Sequence, residues 1–269
     1  MLILKKVLKV SKLIAIDNGH GLNTPGKRTP LFPDSSFMHE WEFNHAVAKY
    51  LEAELLRCGF KTLMLSDTEE DTPLQRRTDR CNKANADFCV SIHYNAMGNS
   101  WQTTATGTET YSYPGNSTDA KYASIIHPYL VQATGLKDRG CKQADFHMIR
   151  EPKCPAILIE FGFMDNHIDA DLALQDSFRT RCAVGLAKGI CAAFEVEYIE
   201  EVDDTSKALV LQEDWQWTML LENIKLYKSK GFISGDEWDK KVKDKSITVD
   251  ELAWLNNEII SRIAEGTRA

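Results

Sequence analysis

The order of apolar and polar positions predicts strands that alternate with helices through most of the chain. Short apolar runs rich in β-branched or aromatic residues occur at LIAI, KTLMLS, FCVSIHYNA, GTETYSY and AILIEFGF. Between and after them, the helical period of three to four residues appears at 39–57, after Pro73, at 118–134 and at 176–194. Strands that alternate with helices indicate an α/β fold with a largely parallel, twisted sheet flanked by helices.

The composition changes after residue 195, and this change predicts a domain boundary. The stretch EVEYIEEVDDTS is acidic and contains no Lys or Arg, which is typical of a solvated linker. We therefore expect a first domain at 12–195, an acidic linker at 196–208 and a small all-α domain at 209–269.

The C-terminal segment is expected to form two long helices and a short one. Ser234 and Thr248 each have a glutamate three positions later, which is the pattern of a helix capping box. Four of the six tryptophans also lie in this segment: Trp215, Trp217, Trp238 and Trp254. Helical spacing favours a hydrophobic core for most of them, whereas exposed tryptophans would suit cell-wall binding or a homo-oligomer interface formed by these helices.

Composition and charge exclude several classes of partner. Lys plus Arg number 32 and Asp plus Glu number 39, so the net charge is −7. A nucleic-acid groove or an anchor on an anionic membrane would need clustered positive charge, so neither is expected.

The N-terminal stretch MLILKKVLKVSKLIAI lacks the continuous apolar region and cleavage site of a signal peptide, which predicts synthesis in the cytoplasm. The seven scattered cysteines form no CxxC pair and are expected to be reduced and mostly buried.

Candidate chemistry appears where three of the predicted strands end. His20 follows LIAIDNG, His93 follows FCVSI, and Glu160 follows AILI. Ligands of open α/β sheets bind outside the carboxyl ends of the strands, so these side chains are expected to lie close together. One such histidine is more often a surface or hydrogen-bonded core residue. Three metal-ligating or proton-transferring side chains at equivalent strand ends favour a functional site.

Glu40 adds a fourth side chain from the predicted helix at 39–57. Positions 40, 43, 44, 47 and 51 share one helix face, and most of its other members are apolar. An acid on such a face is unfavourable unless another group compensates its charge. A helix cap is one explanation, but a cation at the sheet edge accounts for Glu40 better. Glu42 lies off this face and is expected to be solvated.

Two histidines and one glutamate around an open coordination position form a catalytic zinc arrangement. A closed structural zinc site would need four protein ligands and usually includes cysteine, and no cysteine stands beside His20 or His93. Glu160 is then the candidate for taking a proton from water and passing it to the leaving nitrogen. Histidine and carboxylate ligands accept several divalent ions, and zinc is one of the metals that this set of ligands can bind.

Four segments together resemble a known family. In order and spacing, IAIDNGHG, HEWEFN, ANADFCVSIHYNA and PAILIEFGFMDN resemble the zinc-dependent N-acetylmuramoyl-L-alanine amidases (the amidase-3 family) of phage endolysins and bacterial autolysins. The resemblance covers the first expected domain. Arg77 matches an arginine of the family's helix before the SIHYNA strand, where a structural role is expected. Asn18 departs from the pattern, since many members have proline before GHG.

The resemblance implies that the chain hydrolyses peptidoglycan, at the amide between the lactyl group of N-acetylmuramic acid and L-alanine of the stem peptide. It also implies one Zn²⁺ ion held by His20, Glu40 and His93, with Glu160 as the catalytic glutamate. Aligning Asn44 with the family's asparagine selects Glu40 over Glu42. Without a signal peptide, the expected protein is a phage or prophage endolysin that reaches the cell wall after holin-type release.

Two other functions remain open at this point. A zinc peptidase would use the same residues to cleave soluble peptides and release amino acids. A non-catalytic cell-wall-binding protein would keep the fold and hydrolyse nothing, which the presence of all four site residues disfavours.

Overall fold

The computed structural model of the chain describes residues 12–66, 68–200, 211 and 213–265. The described residues divide into two units, one up to residue 200 and the other from residue 211 onwards.

Within its described residues, the first unit is built on one six-stranded sheet. The strands are β1 (Leu13–Asn18), β2 (Lys61–Met64), β3 (Phe88–Asn95), β4 (Thr108–Ser112), β5 (Asp138–Gln143) and β6 (Ala156–Phe163). Their spatial order is β2-β1-β3-β6-β4-β5. The first four strands in this order run parallel, and β4 runs antiparallel to β6. The largely parallel sheet predicted from the sequence is confirmed.

Helices cover both faces of this sheet. They are α1 (Glu40–Arg57), α2 (Leu74–Lys83), α3 (Ser117–Thr134), α4 (His147–Arg150), α5 (His167–Ala173) and α6 (Asp176–Ala193). The larger hydrophobic core joins one face to α1, α3 and α6, and a smaller core joins the other face to α2 and α4. Two unequal layers of helices therefore enclose the sheet, as the alternation of strands and helices predicts.

The alternation of side chains along each strand decides which face carries polar groups. On β3, Val90 and Ile92 belong to the larger core and Cys89 to the smaller. Successive strand residues point to opposite faces, so Ser91 and His93 continue the face of Cys89. Polar side chains therefore collect on the face of the smaller core, at the carboxyl end of β3.

The sequence pattern does not predict β5. Its residues, DRGCKQ, are mostly polar, and the strand lies at the edge of the sheet with β4 as its one partner. An edge strand without a buried face has no apolar alternation to reveal it. The short helices α4 and α5 also escape prediction, because they contain too few turns to show a helical period.

The second unit contains α7 (Asp214–Ser229), α8 (Glu237–Lys243) and α9 (Val249–Glu265), the expected two long helices and one short helix. The capping box at Thr248 is confirmed. The Thr248 N–H donates to Glu251 Oε2 at 3.0 Å, and the Glu251 N–H donates to Thr248 Oγ1 at 3.2 Å. The box predicted at Ser234 is wrong, because α8 begins after Asp236.

The four tryptophans of the second unit divide evenly between core and surface. Trp217 and Trp238 are buried, whereas Trp215 and Trp254 are 60% and 57% exposed. Trp254 stacks on Trp238 with 6.0 Å between the ring centroids. The expected core role therefore holds for two of the four.

Residues 196–200 are the described part of the predicted linker at 196–208, and the rest of it lies outside the described residues. Val196, Tyr198 and Ile199 pack against the larger core of the first unit. Arg57 Nε donates to the carbonyl oxygen of Ile199 at 2.9 Å.

The N-terminal stretch assessed for a signal peptide also lies mostly outside the described residues. Among the helices described here, none has the length and apolar character needed to cross a membrane.

Replacing Phe43 tests the assignment of the larger core. Its side chain is fully buried and packs edge-on against Tyr94, with ring centroids 4.5 Å apart. We expect Phe43→Ala to lower the free energy of unfolding by about 3–5 kcal/mol, measured by urea denaturation, because it leaves a cavity. The matched control is Leu56→Ala on the same helix, where Leu56 is 53% exposed. Equal losses in the two variants would contradict the assignment.

Candidate active site

His20 lies just beyond β1, in a backbone conformation that residues with a side chain rarely adopt. Its φ is 66°, in the left-handed region, where strain persists only if the surroundings enforce it. The His20 carbonyl oxygen accepts a hydrogen bond from Arg77 Nη2 at 2.8 Å. Arg77 is buried, and its Nη1 donates to Asp17 Oδ1 at 2.7 Å. The arginine therefore fixes the loop that presents the imidazole, in line with its expected structural role.

Gly19 makes the close approach of this loop to His93 sterically feasible. A Cβ atom on Gly19 would lie 2.2 Å from His93 Cε1, which no real contact allows. With glycine at this position, the rings of His20 and His93 lie edge to face with 4.9 Å between their centroids. The two histidines are therefore neighbours because the residue between the strand and His20 has no side chain.

Glu40 is the first residue of α1, and it is 1% exposed. Its Oε1 lies 2.9 Å from His93 Nδ1 and accepts hydrogen bonds from the Tyr94 N–H at 3.2 Å and Asn44 Nδ2 at 3.3 Å. Its Oε2 lies 3.3 Å from His20 Nε2. The carboxylate therefore contacts both histidines, and the helix N-terminus favours its negative charge.

Glu42 has a different role from Glu40. Its Oε2 accepts a hydrogen bond from the backbone N–H of His39 at 2.6 Å, which closes the first turn of α1. Glu42 is half-buried and caps the helix, so the expectation that it is solvated is wrong. The cap that the sequence offered as an alternative for Glu40 is thus supplied by Glu42.

Glu160 lies opposite His93 on the neighbouring parallel strand, because the two residues are register partners in the β3–β6 pair. The register shifts directly after this pair, and such irregularities re-aim side chains next to active sites. Glu160 Oε2 is buried and has no hydrogen-bond partner among the described residues. Glu160 and Glu40 line one cavity of about 240 Å³. All four predicted site residues therefore lie at one end of the sheet.

The two glutamates differ in their affinity for a proton. Burial raises the pKa of Glu160 well above its ordinary value, and the charges of Glu40 and Glu109 add to this effect. Burial also acts to raise the pKa of Glu40, but the hydrogen bond with His93 and nearby positive charges outweigh it and lower that pKa to about 2. Paired carboxyl groups whose environments separate their pKa values are typical of acid–base catalysis.

The donor set of His20, Glu40 and His93 fits a metal ion. One ligand atom from each residue lies within 4.8 Å of the others. His20 Nε2 is buried and makes no hydrogen bond within the described residues, which is unfavourable unless another group satisfies it. Burial lowers the pKa of His20 to about 4, so its imidazole is neutral at pH 7, the form that binds metals. These three residues can therefore hold a divalent ion.

A chain of buried hydrogen bonds supports His93 from within the sheet. His93 Nε2 lies 3.1 Å from Ser91 Oγ, and Ser91 Oγ donates to Asp17 Oδ2 at 2.6 Å. Asp17 in turn pairs with Arg77, so one network reaches both histidines. Partners of this kind orient ligand side chains. Sequence reasoning missed Asp17 and Ser91, although polar residues inside two apolar strands are a signal that could have found them.

Comparison with known proteins identifies the family of the chain. Residues 14–192 match the protein family described as N-acetylmuramoyl-L-alanine amidase. The chain belongs to the N-acetylmuramoyl-L-alanine amidase family. The match includes five of the six strands in full and β1 from Ile14 onwards. It also contains all four predicted site residues of this amidase.

Individual amidases give the same result. The amidase CwlM of Bacillus licheniformis is 34% identical over 186 residues, which cover 68% of this chain and 69% of CwlM. The endolysin of Bacillus phage SPP1 is 30% identical over 188 residues, 67% of this chain and 65% of the endolysin. The solved catalytic domain of the amidase CwlV from Bacillus (Paenibacillus) polymyxa var. colistinus has a TM-score of 0.63 and 31% identity, covering 69% of this chain and 99% of that domain. The family and fold inferred from the motifs are confirmed, and with them the expectation of an N-acetylmuramoyl-L-alanine amidase.

Two further aromatic residues of the amidase do not form part of the cavity wall. His147 Nε2 lies 3.2 Å from Thr78 Oγ1, a contact between α4 and α2. Trp101 stacks on His167 with 3.9 Å between centroids, and its Nε1 donates to the Leu31 carbonyl at 2.9 Å. Trp101 is therefore anchored to its neighbours through one ring face and its indole N–H.

Arg77 offers a test of the buried network. We expect Arg77→Gln to lower the free energy of unfolding by about 3–5 kcal/mol in urea denaturation, because it leaves Asp17 buried without its ionic partner. The control is Arg76→Gln, which removes the same charge from an exposed position one residue away. A loss below about 1 kcal/mol for Arg77→Gln would show that the network does not hold the loop of His20.

Proposed function

We propose that this amidase hydrolyses the bond between the lactyl group of N-acetylmuramic acid and L-alanine in peptidoglycan, with one zinc ion bound by His20, Glu40 and His93. The observation that carries the proposal is the convergence of these three side chains beside Glu160. When bound, zinc would polarise the lactyl carbonyl group and make water more acidic.

Glu160 moves the proton in this proposal. Its Oε2 is buried, has no hydrogen-bond partner in the described part of the chain and faces the cavity shared with Glu40, so it is available to a water molecule there. The water oxygen forms a bond to the lactyl carbonyl carbon, and Oε2 takes the proton that the water releases. The Glu160 carboxyl group keeps this proton until the C–N bond breaks. The proton then passes to the nitrogen of L-alanine, which leaves as an amine.

The other residues of the site orient these groups. Asn44 and the Tyr94 N–H hold the Glu40 carboxylate, and Ser91 holds His93. The backbone N–H groups of Met97 and Gly98 donate to Asp165 Oδ2 at 2.8 and 3.0 Å, which fixes the loop that borders the cavity. This part of the loop at 96–106 is therefore well placed to contact the substrate.

The domain boundaries, site of action and oligomeric state belong to the same proposal. We assign the catalytic domain to 12–195, the linker to 196–208 and the helical domain to 209–269, where the exposed Trp215 and Trp254 suit wall binding or a homo-oligomer. Similarity to the phage SPP1 endolysin supports a phage-type lysin. We propose holin-type release as its route to the cell wall.

The choice of Glu40 over Glu42 as a ligand can be tested by metal content. We expect Glu40→Gln to lower zinc affinity at least about tenfold, because one of the three ligands loses its charge. Glu42→Gln, two residues away on the same helical turn, should bind one zinc ion per chain as the unchanged protein does. Both variants would be titrated with zinc against a competing chelator. The assignment is wrong if Glu42→Gln loses the metal and Glu40→Gln keeps it.

The reaction can be tested on purified bacterial sacculi. We expect fresh N-terminal alanine, no new reducing sugar, and loss of both activity and zinc on treatment with chelator. Glu160→Gln should keep its zinc and release N-terminal alanine at least about 10²-fold more slowly, because no group then accepts the proton.

Other outcomes of this experiment distinguish the alternatives. Cleavage of soluble peptides with release of amino acids would indicate a zinc peptidase. No new chemical ends from zinc-loaded protein would indicate a cell-wall-binding protein without catalysis. Undiminished release by Glu160→Gln would remove this residue from the mechanism.

A further inference from the structure

A second group of charged side chains lies next to Glu160 on the same face of the sheet. Glu109 on β4 is the register partner of Glu160 on the antiparallel strand β6, and directly opposite residues share a face. Tyr111, two positions along β4, lies on this face too and pairs with Lys142 on β5. The face that carries the active site therefore continues across β4 to the edge of the sheet.

The carboxylate of Glu109 organises this group. It is buried, and its Oε1 accepts hydrogen bonds from Asn95 Nδ2 at 2.7 Å and from the Tyr111 hydroxyl at 2.9 Å. Its Oε2 accepts from Arg139 Nε at 2.8 Å and from Lys142 Nζ. Four donors on one carboxylate leave it fully satisfied, so Glu109 is a fixed support for the two cations.

Arg139 is held at one edge and open at the other. Its guanidinium group lies over the ring of Phe163, with 4.7 Å from Cζ to the ring centroid, and uses Nε to reach Glu109. Among the described residues, its two terminal nitrogens have no hydrogen-bond partner. The side chain of Arg139 is 25% exposed and that of Lys142 is 36% exposed. Two terminal N–H groups in a fixed plane are the geometry that binds a carboxylate through both oxygens.

Charge and position connect these cations to the reaction. Two positive groups share one negative group, so the cluster carries an excess positive charge in a protein whose net charge is −7. Asn95, which donates to Glu109, also lines the cavity that contains Glu160. The excess charge therefore lies beside the groups that act on the amide, where it can attract an anionic part of the substrate.

We infer that Arg139 and Lys142 bind a carboxylate of the stem peptide, on the residue that follows L-alanine, and that Glu109 positions both cations. This inference rests on the proposed function. Two strand spacings separate β5 from β6, about 10 Å, and the cationic side chains lean back toward Glu109 on the strand between them. A carboxylate one residue beyond the alanine lies about 7 Å from the scissile amide, which is within their reach.

The test compares two soluble muramoyl peptides that differ at one group. In one, the α-carboxyl of the D-glutamyl residue after L-alanine is free, and in the other it is amidated. Binding would be measured by calorimetry on zinc-loaded Glu160→Gln, and kcat/KM would be measured on the unchanged protein. We expect both measurements to favour the free acid by at least about tenfold, because an amide cannot form the charged, two-oxygen contact.

Substitutions assign this preference to the two cations. In the Glu160→Gln background, Arg139→Gln should reduce the preference to within about twofold, and Lys142→Gln should reduce it partly. Arg139→Lys keeps the charge and a donor for Glu109 but not the paired nitrogens, so it should also lose most of the preference even if Arg139→Gln folds poorly. The matched control is Arg181→Gln, which removes an arginine that lies 5.5 Å from the ring of Phe178 on α6 and should keep the full preference.

The outcomes separate this inference from the proposed function. Equal binding of the two peptides, or full preference in Arg139→Gln and Arg139→Lys, would overturn the inference while hydrolysis continues. Preference in binding without cleavage of either peptide by the unchanged protein would support the carboxylate site and reject the proposed reaction.

Discussion

The burial of a negative charge at Glu40 is the constraint on which the site depends. A carboxylate that is 1% exposed stays ionised only if positive or hydrogen-donating groups surround it. Here the first turn of α1, the Tyr94 N–H, Asn44 and His93 all serve that purpose. The same contacts hold the end of β3 and the loop after β1 against the start of α1, so the burial of Glu40 and the convergence of the two histidines have one cause.

The candidate site residues and the cluster around Glu109 lie on neighbouring parts of the sheet, one after another. The loop after β1 and the strand β3 carry the two histidines, β6 carries Glu160, and β4 and β5 carry the cluster around Glu109. Strand spacing of about 4.8 Å sets the distances between these groups, and side-chain alternation keeps them on one face. The order of strands in space, which differs from their order in the chain, therefore sets the order of these groups across the sheet.

Sequence patterns identified the features that local periodicity encodes. The helical period separated Glu40 from Glu42 because the two residues lie on different faces of one turn, and the ends of apolar runs located His20, His93 and Glu160. Contacts between distant segments produce no such local pattern in the sequence. Arg77 was matched by resemblance, but its pairing with Asp17, 60 residues away, follows only from the fold. The edge strand β5 was missed because it buries no face, although it carries Arg139 and Lys142. At α8, Asp236 precedes the helix and displaces the cap expected from Ser234.

The separation of the three donors along the chain also has a thermodynamic consequence. His20, Glu40 and His93 belong to three different segments, so an unfolded chain would have to close two loops to gather them. An ion that needs all three donors therefore binds the folded chain and not the unfolded one. Such binding stabilises the folded state by mass action, about 2.7 kcal/mol when the free ion is at a hundred times its dissociation constant. The concentration of free metal would then govern how often the domain unfolds, and therefore how long it survives in the presence of proteases.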